Sequence, residues 1–322
     1  MNTPISISQQ LAELSQLRDD LRTPEAKAQL KSALANASNR IVERAAELIA
    51  EAEDASLTPD LVKAYRRLKR NPLKKDPGCL AKQAIVKALI QVGYTDPEFF
   101  REGIVYEQVE PYWGGQIDTA AEIRGDCAIG LAHCIPVLEL LNHCAKLLAD
   151  EYVEARMGAA QALGALGQPE AGPLLRLKLL AGNETPEVHG ECCSALLKID
   201  PLEGLEFIKP FLASENADQC VQTALAVGES KLPGAFDLLR NTWGRRSELN
   251  VRESLLLCVG LLRTTESQDF LLSLIDTRDL RTAADAINAI KLNGEVGEIH
   301  QRTEAAVEKT GSEELRQVFL DE

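Results

Sequence analysis

Prolines and large apolar residues recur along this chain with one common period of 32 residues. This step separates Pro169, Pro201 and Pro233, and it also separates four apolar residues, Leu175, Phe207, Leu239 and Leu271. Proline suits the first turn of a helix, because its missing N–H would have no partner there. A core position that repeats in phase indicates one structural unit copied along the chain. The period therefore predicts helical hairpins, each with a second helix that begins at a proline.

The first helix of each predicted hairpin is rich in alanine and glycine. Its clearest copy runs over 155–167, where small and apolar residues follow helical spacing and a glycine ends the run. Further copies begin at Ile123, Val188, Ala217, Val251 and Leu280, with looser ones at Ile41 and Ala81. Small side chains let helix axes approach closely, while leucines of the second helix fill the layer to the next unit.

The pattern apolar-Arg-x-x-Ala-Ala-x-Ala-Leu-Gly, followed by a proline-started helix, resembles the short HEAT-like repeats named after phycobilisome lyases. The resemblance covers residues 41–311 and is strongest over 123–290. It implies an all-α fold, an α-solenoid (α-α superhelix) of about eight hairpins with helical caps. We predict an N-terminal cap over 1–37, the repeat solenoid over 38–311 and a C-terminal cap over 312–322.

Composition agrees with a helical chain and limits its partners. Aromatic residues make up only 4% of the sequence, and the scarcity of alternating β-branched residues disfavours a large sheet. The net charge of −14 repels phosphate backbones, so we do not expect nucleic acid as a partner. Without a signal peptide or an apolar run of membrane-spanning length, the protein is expected to be cytoplasmic. The eight cysteines lie in apolar helical segments and are expected to be reduced core thiols.

The arginine that follows the first apolar position of these helices recurs at positions 124, 156, 252 and 281. An arginine buried between repeats needs a partner for its charge. We therefore expect these arginines to pair with acidic groups of a neighbouring repeat rather than with a ligand.

The repeat is interrupted once, over about residues 94–119, and six of the fourteen aromatic residues lie in this insertion. Insertions in solenoids map to one face, often the binding face, and Tyr and Trp are frequent interface anchors. This pattern predicts a partner-binding site formed by Phe99, Phe100, Tyr106, Tyr112 and Trp113. The alternative is that these rings fold back and fill a gap between repeats, since large aromatic side chains are normally buried.

Seven basic residues and no acidic residue occur between positions 63 and 75, namely Lys63, Arg66, Arg67, Lys69, Arg70, Lys74 and Lys75. A basic patch on an acidic chain could receive an acidic protein tail, an anionic membrane surface or a phosphate backbone. The alternative is the solvated face of an amphipathic helix whose apolar side turns inward.

Catalytic motifs are missing from the sequence. It contains no GxxxxGK[ST], GxGxxG, GxSxG or HExxH pattern and only four histidines. The pairs His133-Cys134 and His143-Cys144 match no zinc-site spacing, so we expect neither a metal nor a cofactor. On these grounds the chain is predicted not to be an enzyme.

We predict a scaffold or adaptor that binds a protein partner through the solenoid groove and the aromatic insertion. The resemblance to phycobilisome lyases implies an alternative, a protein that attaches or removes bilin chromophores, in which Tyr112 and Trp113 would line the chromophore pocket. A further alternative is a HEAT-like protein that binds nucleic acid, which only the basic run supports.

Overall fold

The computed structural model describes residues 6–292 and 297–321, and these residues are almost entirely helical. Residues 1–5 of the predicted N-terminal cap, 293–296 of the predicted solenoid and Glu322 of the predicted C-terminal cap lie outside the described residues. The chain divides into two compact units, Met1–Leu166 and Gly167–Glu322. Within each unit the helices pack in two layers.

The described residues of the first unit form ten α-helices: α1 (Ile7–Ser15), α2 (Pro24–Leu34), α3 (Asn39–Ala52), α4 (Thr58–Lys69), α5 (Pro72–Lys75), α6 (Leu80–Gln91), α7 (Pro97–Gly103), α8 (Ala121–Leu131), α9 (Val137–Leu147) and α10 (Val153–Leu166). Helices α3, α6, α8 and α10 contact one another in chain order and form one layer. Helices α2, α4, α7 and α9 pack against this layer, and short 3-10 turns lie at Gln16–Asp19, Ala55–Leu57 and Pro77–Cys79.

The second unit begins with a 3-10 turn, Pro169–Ala171, and continues with ten α-helices among its described residues: α11 (Gly172–Ala181), α12 (Pro186–Ile199), α13 (Pro201–Leu212), α14 (Ala217–Ser230), α15 (Ala235–Arg245), α16 (Leu249–Leu262), α17 (Thr265–Ile275), α18 (Leu280–Lys291), α19 (Glu298–Thr310) and α20 (Glu313–Leu320). Helices α12, α14, α16 and α18 contact one another in order, and α11, α13, α15 and α17 pack against them. Helices α19 and α20 pack on the last of these pairs.

The described helices pair into eight hairpins, α2/α3, α4/α6, α7/α8, α9/α10, α11/α12, α13/α14, α15/α16 and α17/α18. Each hairpin buries its apolar face against the next hairpin of its unit, since a single pair of helices could not cover that face. The prediction of an all-α solenoid of helical hairpins is confirmed.

The 32-residue period corresponds to equivalent positions in the second unit. Pro201 is the first residue of α13, but Pro169 begins a 3-10 turn and Pro233 lies two residues before α15, so only one of the three prolines begins an α-helix. Leu175, Leu239 and Leu271 are completely buried. Phe207 is only half-buried, and the Arg176 guanidinium lies over its ring, 5.5 Å from the centroid. Three of the four predicted core positions are therefore core, and the fourth forms a cation–π contact at the surface.

Helices α8 and α10 approach each other through two glycines. A Cβ on Gly158 would lie 2.2 Å from the Gly125 Cα, and a Cβ on Gly125 would lie 2.9 Å from the Glu154 carbonyl oxygen. No other residue fits at this crossing, which explains why the alanine-rich helix contains glycine despite its cost in helix propensity.

The described part of the chain forms β-strands in one segment, between α7 and α8. Residues 97–103 of the predicted insertion form a regular helix, α7, which packs on α8 like the first helix of the other hairpins. The following residues form an antiparallel hairpin of two strands, β1 (Val109–Tyr112) and β2 (Gly115–Asp118). The non-repeat structure is thus confined to a short β-hairpin mounted on the helices.

Candidate functional site

The β-hairpin turns tightly at its tip, which we define as Tyr112, Trp113, Gly114 and Gly115. Tyr112 pairs with Gly115 across the strands, so Trp113 and Gly114 form a two-residue turn. Gly114 has a φ of +90°, a conformation that glycine adopts without strain. The turn therefore places the indole of Trp113 at the outermost point of the hairpin.

The aromatic side chains of the hairpin tip are open to solvent. Trp113 is 97% exposed and Tyr112 is 68% exposed. Ile117 lies on the same strand face as Tyr112, and Val109 on the other face is also exposed. Exposed glutamate and glutamine side chains, Glu107 and Gln116, lie nearby in the sequence. The tip thus combines an apolar centre with polar flanks.

The base of the hairpin rests on a buried ion pair. The Lys82 ammonium lies 2.9 Å from the Asp76 carboxylate, and both side chains are fully buried. The Asp76 carboxylate also accepts hydrogen bonds from the backbone N–H groups of Ala81 and Lys82 and from the Asn39 amide. The N–H groups of Ala81 and Lys82 lie in the first turn of α6, where backbone N–H groups lack helical partners. The Asp76 carboxylate accepts their hydrogen bonds instead.

Gln108 and Glu110 connect this ion pair to the first strand. The Gln108 amide donates to the Asp76 carbonyl oxygen at 2.9 Å and to Glu110 Oε1 at 2.7 Å. The same Glu110 oxygen accepts from the Gly78 N–H at 2.7 Å and from the Thr119 hydroxyl at 2.8 Å. Burial alone would raise the pKa of Glu110, but these hydrogen bonds hold its pKa below the ordinary value.

Asp118 and Arg124 fix the second strand. Arg124 donates to Asp118, to the Tyr106 carbonyl oxygen at 3.1 Å, and through Nε and Nη2 to both oxygens of Asp150 at 3.1 Å. The Gln108 N–H donates to Asp118 at 2.8 Å. Burial would raise the pKa of Asp118, yet the hydrogen bonds from Gln108 and Arg124 keep its pKa low. The carboxylate is therefore ionised and holds β2 against α8 at neutral pH.

These two buried charge pairs hold the β-hairpin at both strands. Partners at the base belong to α3, α6, α8 and the loop before α10, so four successive hairpins contribute to one polar network. A satisfied buried network is rigid because any movement leaves a charge unpaired. The hairpin is therefore a rigid mount for an exposed aromatic tip.

The other aromatic residues of the predicted site lie elsewhere. Phe99 and Phe100 are buried, pack edge to face at 5.4 Å and lie against the rings of Tyr65 and Tyr94. Tyr106 is half-buried, and its hydroxyl donates to Gln108 at 2.8 Å. Phe99, Phe100 and Tyr106 therefore belong to the packed structure beneath the hairpin, as the alternative interpretation expects. Of the five predicted site residues, only Tyr112 and Trp113 are available to a partner.

The predicted basic patch lies on α4 and α5 and divides into two groups. Arg67 donates to the Leu34 carbonyl at 2.8 Å, Lys69 pairs with Glu102 at 3.2 Å, and Lys75 donates to the Arg67 carbonyl at 3.2 Å. The other group, Lys63, Arg66, Arg70 and Lys74, is exposed and forms no hydrogen bond or ion pair with any described residue.

The recurring arginines follow the expected pairing in part. Arg124 binds Asp150, which precedes the helix of the next repeat. Arg156 and Arg252 donate to backbone carbonyls of the segments before their own helices, and Arg252 also stacks on the Trp243 ring at 3.9 Å. Arg281 is exposed. Arg124 thus has the expected acidic partner from the next repeat, whereas Arg252 is held by backbone carbonyls and an aromatic ring.

Sequence reasoning missed the buried charges at the hairpin base, Asp76, Lys82 and Asp118. Charged residues are normally exposed, so nothing in their residue types marks them as core. One signal was present: Asp76 precedes the apolar run of α6 at the position of a helix cap.

The histidines and cysteines do not assemble a metal site among residues 6–292 and 297–321, where no group of three potential His, Cys, Asp or Glu ligands was found. His189 is buried; its Nε2 lies 2.9 Å from the Thr223 hydroxyl, which itself donates to the Gln219 carbonyl. The imidazole therefore donates through Nε2, and burial lowers its pKa to about 4. Burial raises the pKa of Cys144 to about 12, so this thiol stays protonated.

No helix within the described ranges has the length and apolarity that crossing a membrane requires.

The sequence matches no protein-family model, and it matches no curated protein. Among solved structures, the fold is similar to that of the CpcE–CpcF complex of phycocyanin lyase from Nostoc sp. PCC7120, at 18% identity over 82% of this chain and 94% of that chain, with a TM-score of 0.38. It is similar to human deoxyhypusine hydroxylase in complex with glycerol, at 19% identity over 80% of this chain and 91% of that chain, with a TM-score of 0.31. It is also similar to an engineered protein, at 14% identity over 96% and 97% of the two chains, with a TM-score of 0.34.

The chain is built of repeated helical hairpins, the architecture that the sequence resemblance implied. The prediction that the chain is not an enzyme is wrong as a conclusion from missing motifs, and the solved structures of similar fold include a lyase and a hydroxylase. Missing sequence motifs do not exclude catalysis in a repeat protein, since fold and activity are independent properties.

Proposed function

We propose that this protein binds a protein partner through the aromatic tip of its β-hairpin. The observation that carries this proposal is the 97% exposure of Trp113 at the end of a hairpin held by buried ion pairs. Tryptophan and tyrosine dominate the binding energy of many interfaces, because they bury a large area with few rotatable bonds.

The rigid base supports binding in a second way. A partner that docks on a mobile loop must order that loop, and the lost entropy weakens the complex. Here the strands are fixed by Arg124, Asp118 and Glu110 before any partner arrives. Binding at the tip then orders only the side chains of Tyr112 and Trp113.

The side chains of the hairpin tip indicate which kind of partner surface would bind them. Trp113 and Tyr112 offer apolar rings with one N–H and one O–H donor, and Gln116 is exposed on the neighbouring strand. The matching surface is an apolar pocket edged by hydrogen-bond acceptors. Among the described residues, the aromatic side chains other than Tyr112 and Trp113 are buried or half-buried, so the hairpin rather than the groove between successive helices supports the proposal.

Chromophore handling, the alternative from the resemblance, needs Tyr112 and Trp113 on the wall of a pocket. A ring that is 97% exposed lies on no cavity wall. Visible absorbance of a bilin that stays with the purified chain through gel filtration would nevertheless support that alternative over protein binding.

The test compares partner capture by the native chain and by a Tyr112→Ala, Trp113→Ala variant. A matched control, Leu138→Ala with Leu202→Ala, removes two other strongly exposed apolar side chains. Both variants must first show native circular dichroism. The captured partner is then purified and titrated; we expect the tip variant to weaken binding at least about 100-fold and the control to change it less than about threefold. Equal affinity of the tip variant and the native chain would overturn the proposal.

A further inference from the structure

A groove with a strongly basic rim lies between α2 and α4 in the first unit. It encloses about 450 Å³ and is lined by Lys31 on one side and by Lys63, Arg66, Arg67 and Arg70 on the other. Asp60 is the one carboxylate among the lining residues, and it pairs with Lys31 at 3.2 Å. The groove is therefore a local positive site on a chain whose net charge is −14.

Three of the cations on the rim make no polar contact that stabilises the described structure. Lys63, Arg66 and Arg70 are exposed and, within the described ranges, form no hydrogen bond or ion pair. They lie at positions i, i+3 and i+7 of one helix, so they share one face and span about 10 Å. Arg67, in contrast, is held by the Leu34 carbonyl at the end of α2 and fixes the groove wall.

The floor of the groove is apolar. Leu34, Ala35, Val62 and the Ala64 side chain line it, and Leu34 and Ala64 are buried beneath the basic rim. A basic rim above an apolar floor is complementary to a ligand that presents carboxylates on either side of an apolar side chain.

We propose that this groove binds an acidic amphipathic peptide segment of a partner, with carboxylates paired to Lys63, Arg66 and Arg70 and an apolar side chain on the floor. This site is separate from the hairpin tip and does not depend on the function proposed for it. A short peptide fits because the basic face ends after about 10 Å. A long phosphate backbone or a membrane surface would extend onto the acidic remainder of the chain and be repelled.

The test uses fluorescence anisotropy with a short fluorescein-labelled peptide of Glu, Leu and Ala, with leucines at helical spacing. A second peptide has Gln in place of every Glu. The protein variants are Arg66→Glu with Arg70→Glu, the milder Arg66→Gln with Arg70→Gln, and a control, Arg245→Glu with Arg278→Glu, which changes the net charge equally at other exposed positions. The Gln variant keeps the test valid if charge reversal impairs folding.

We expect the acidic peptide to bind, the charge-reversed variant to weaken it at least about tenfold, and the control to change affinity less than about twofold. Raising the salt from about 50 to about 500 mM should weaken binding, since exposed charges are screened. Three results would each overturn the proposal: no binding up to about 1 mM peptide, equal binding of the Gln peptide, or equal affinity of the native and charge-reversed chains. Tighter binding of duplex DNA or phosphatidylserine vesicles, lost on charge reversal, would also overturn it by assigning the groove to phosphate.

Discussion

Lys82 and Asp76 form an ion pair at 2.9 Å with both side chains fully buried, and the β-hairpin is built on top of this pair. Gln108 links the Asp76 backbone to the first strand at 2.9 Å. A buried pair adds little net stability, but the loss of one partner leaves an uncompensated charge in the core. Lys82 and Asp76 therefore determine whether the hairpin keeps its position.

Asp76→Asn should lower the free energy of unfolding by about 3–5 kcal/mol, because the Lys82 ammonium stays buried without its carboxylate. Lys309→Met is the matched control: the Lys309–Asp276 pair has the same 2.9 Å separation but is mostly exposed, so its loss should cost less than about 1 kcal/mol. Urea denaturation followed by circular dichroism measures both. Similar small losses for the two variants would contradict a structural role for the buried pair.

Asp126 predicts a pH-dependent stability. Burial raises its pKa from 3.8 to about 7, and its Oδ2 has no hydrogen-bond partner among the described residues. Between pH 3.8 and about 7, the folded chain keeps a proton on Asp126 that the unfolded chain has lost. The contribution of Asp126 to the free energy of unfolding therefore falls as the pH rises through this interval. Asp126→Asn should therefore stabilise the protein by about 1–3 kcal/mol near pH 8 and have little effect near pH 4.

Urea midpoints measured across this pH range give the comparison for Asp126. Asp218→Asn, at an exposed carboxylate of the second unit, is the control and should leave the pH profile unchanged. A stabilisation by Asp126→Asn that is the same at both ends of the range would show that its ionisation is not the cause.

Tyr65 and Tyr106 should respond in opposite directions to removal of their hydroxyl groups. The Tyr65 hydroxyl is buried with no hydrogen-bond partner in the part of the chain that the structure describes, whereas the Tyr106 hydroxyl donates to Gln108 at 2.8 Å. Tyr65→Phe should leave stability unchanged or raise it, and Tyr106→Phe should lower it by about 1 kcal/mol. Thermal denaturation of the two single variants measures both changes in stability. A greater loss of stability for Tyr65→Phe than for Tyr106→Phe would contradict these hydrogen-bond assignments.

Gly158→Ala should destabilise the first unit by about 1–3 kcal/mol, since the added Cβ would lie 2.2 Å from the Gly125 Cα and force α8 and α10 apart. Gly244→Ala is the control. Gly244 lies in α15 with no atom within 4 Å of an added Cβ, so alanine should stabilise that helix by about 0.5–1 kcal/mol. Denaturation midpoints that move in the same direction for both variants would exclude the close helix crossing.

The helical repeat was predictable because its signals are local. Pro201 marks the start of α13, and Leu175, Leu239 and Leu271 mark the core by their spacing alone. The β-hairpin was not predictable, because its strands have four residues each and the first contains Pro111, so no alternating pattern can develop.

The candidate site could be predicted only in part, because exposure depends on tertiary packing. Phe100 and Trp113 belong to the same aromatic cluster in the sequence, yet Phe100 is buried against Gly130 and Trp113 is at the hairpin tip. The Lys82–Asp76 pair was not recognised, since the burial of both charges depends on Gln108 and Asn39, which are distant in sequence.

The proposed role of the hairpin tip is tested most directly by photo-crosslinking from position 113. Benzoylphenylalanine replaces Trp113 in one variant and Leu202, which is 75% exposed in the second unit, in another. After irradiation with the source lysate, we expect a defined adduct with one partner from position 113 and no such adduct from position 202. No adduct from position 113, or the same set of adducts from both positions, would contradict the account.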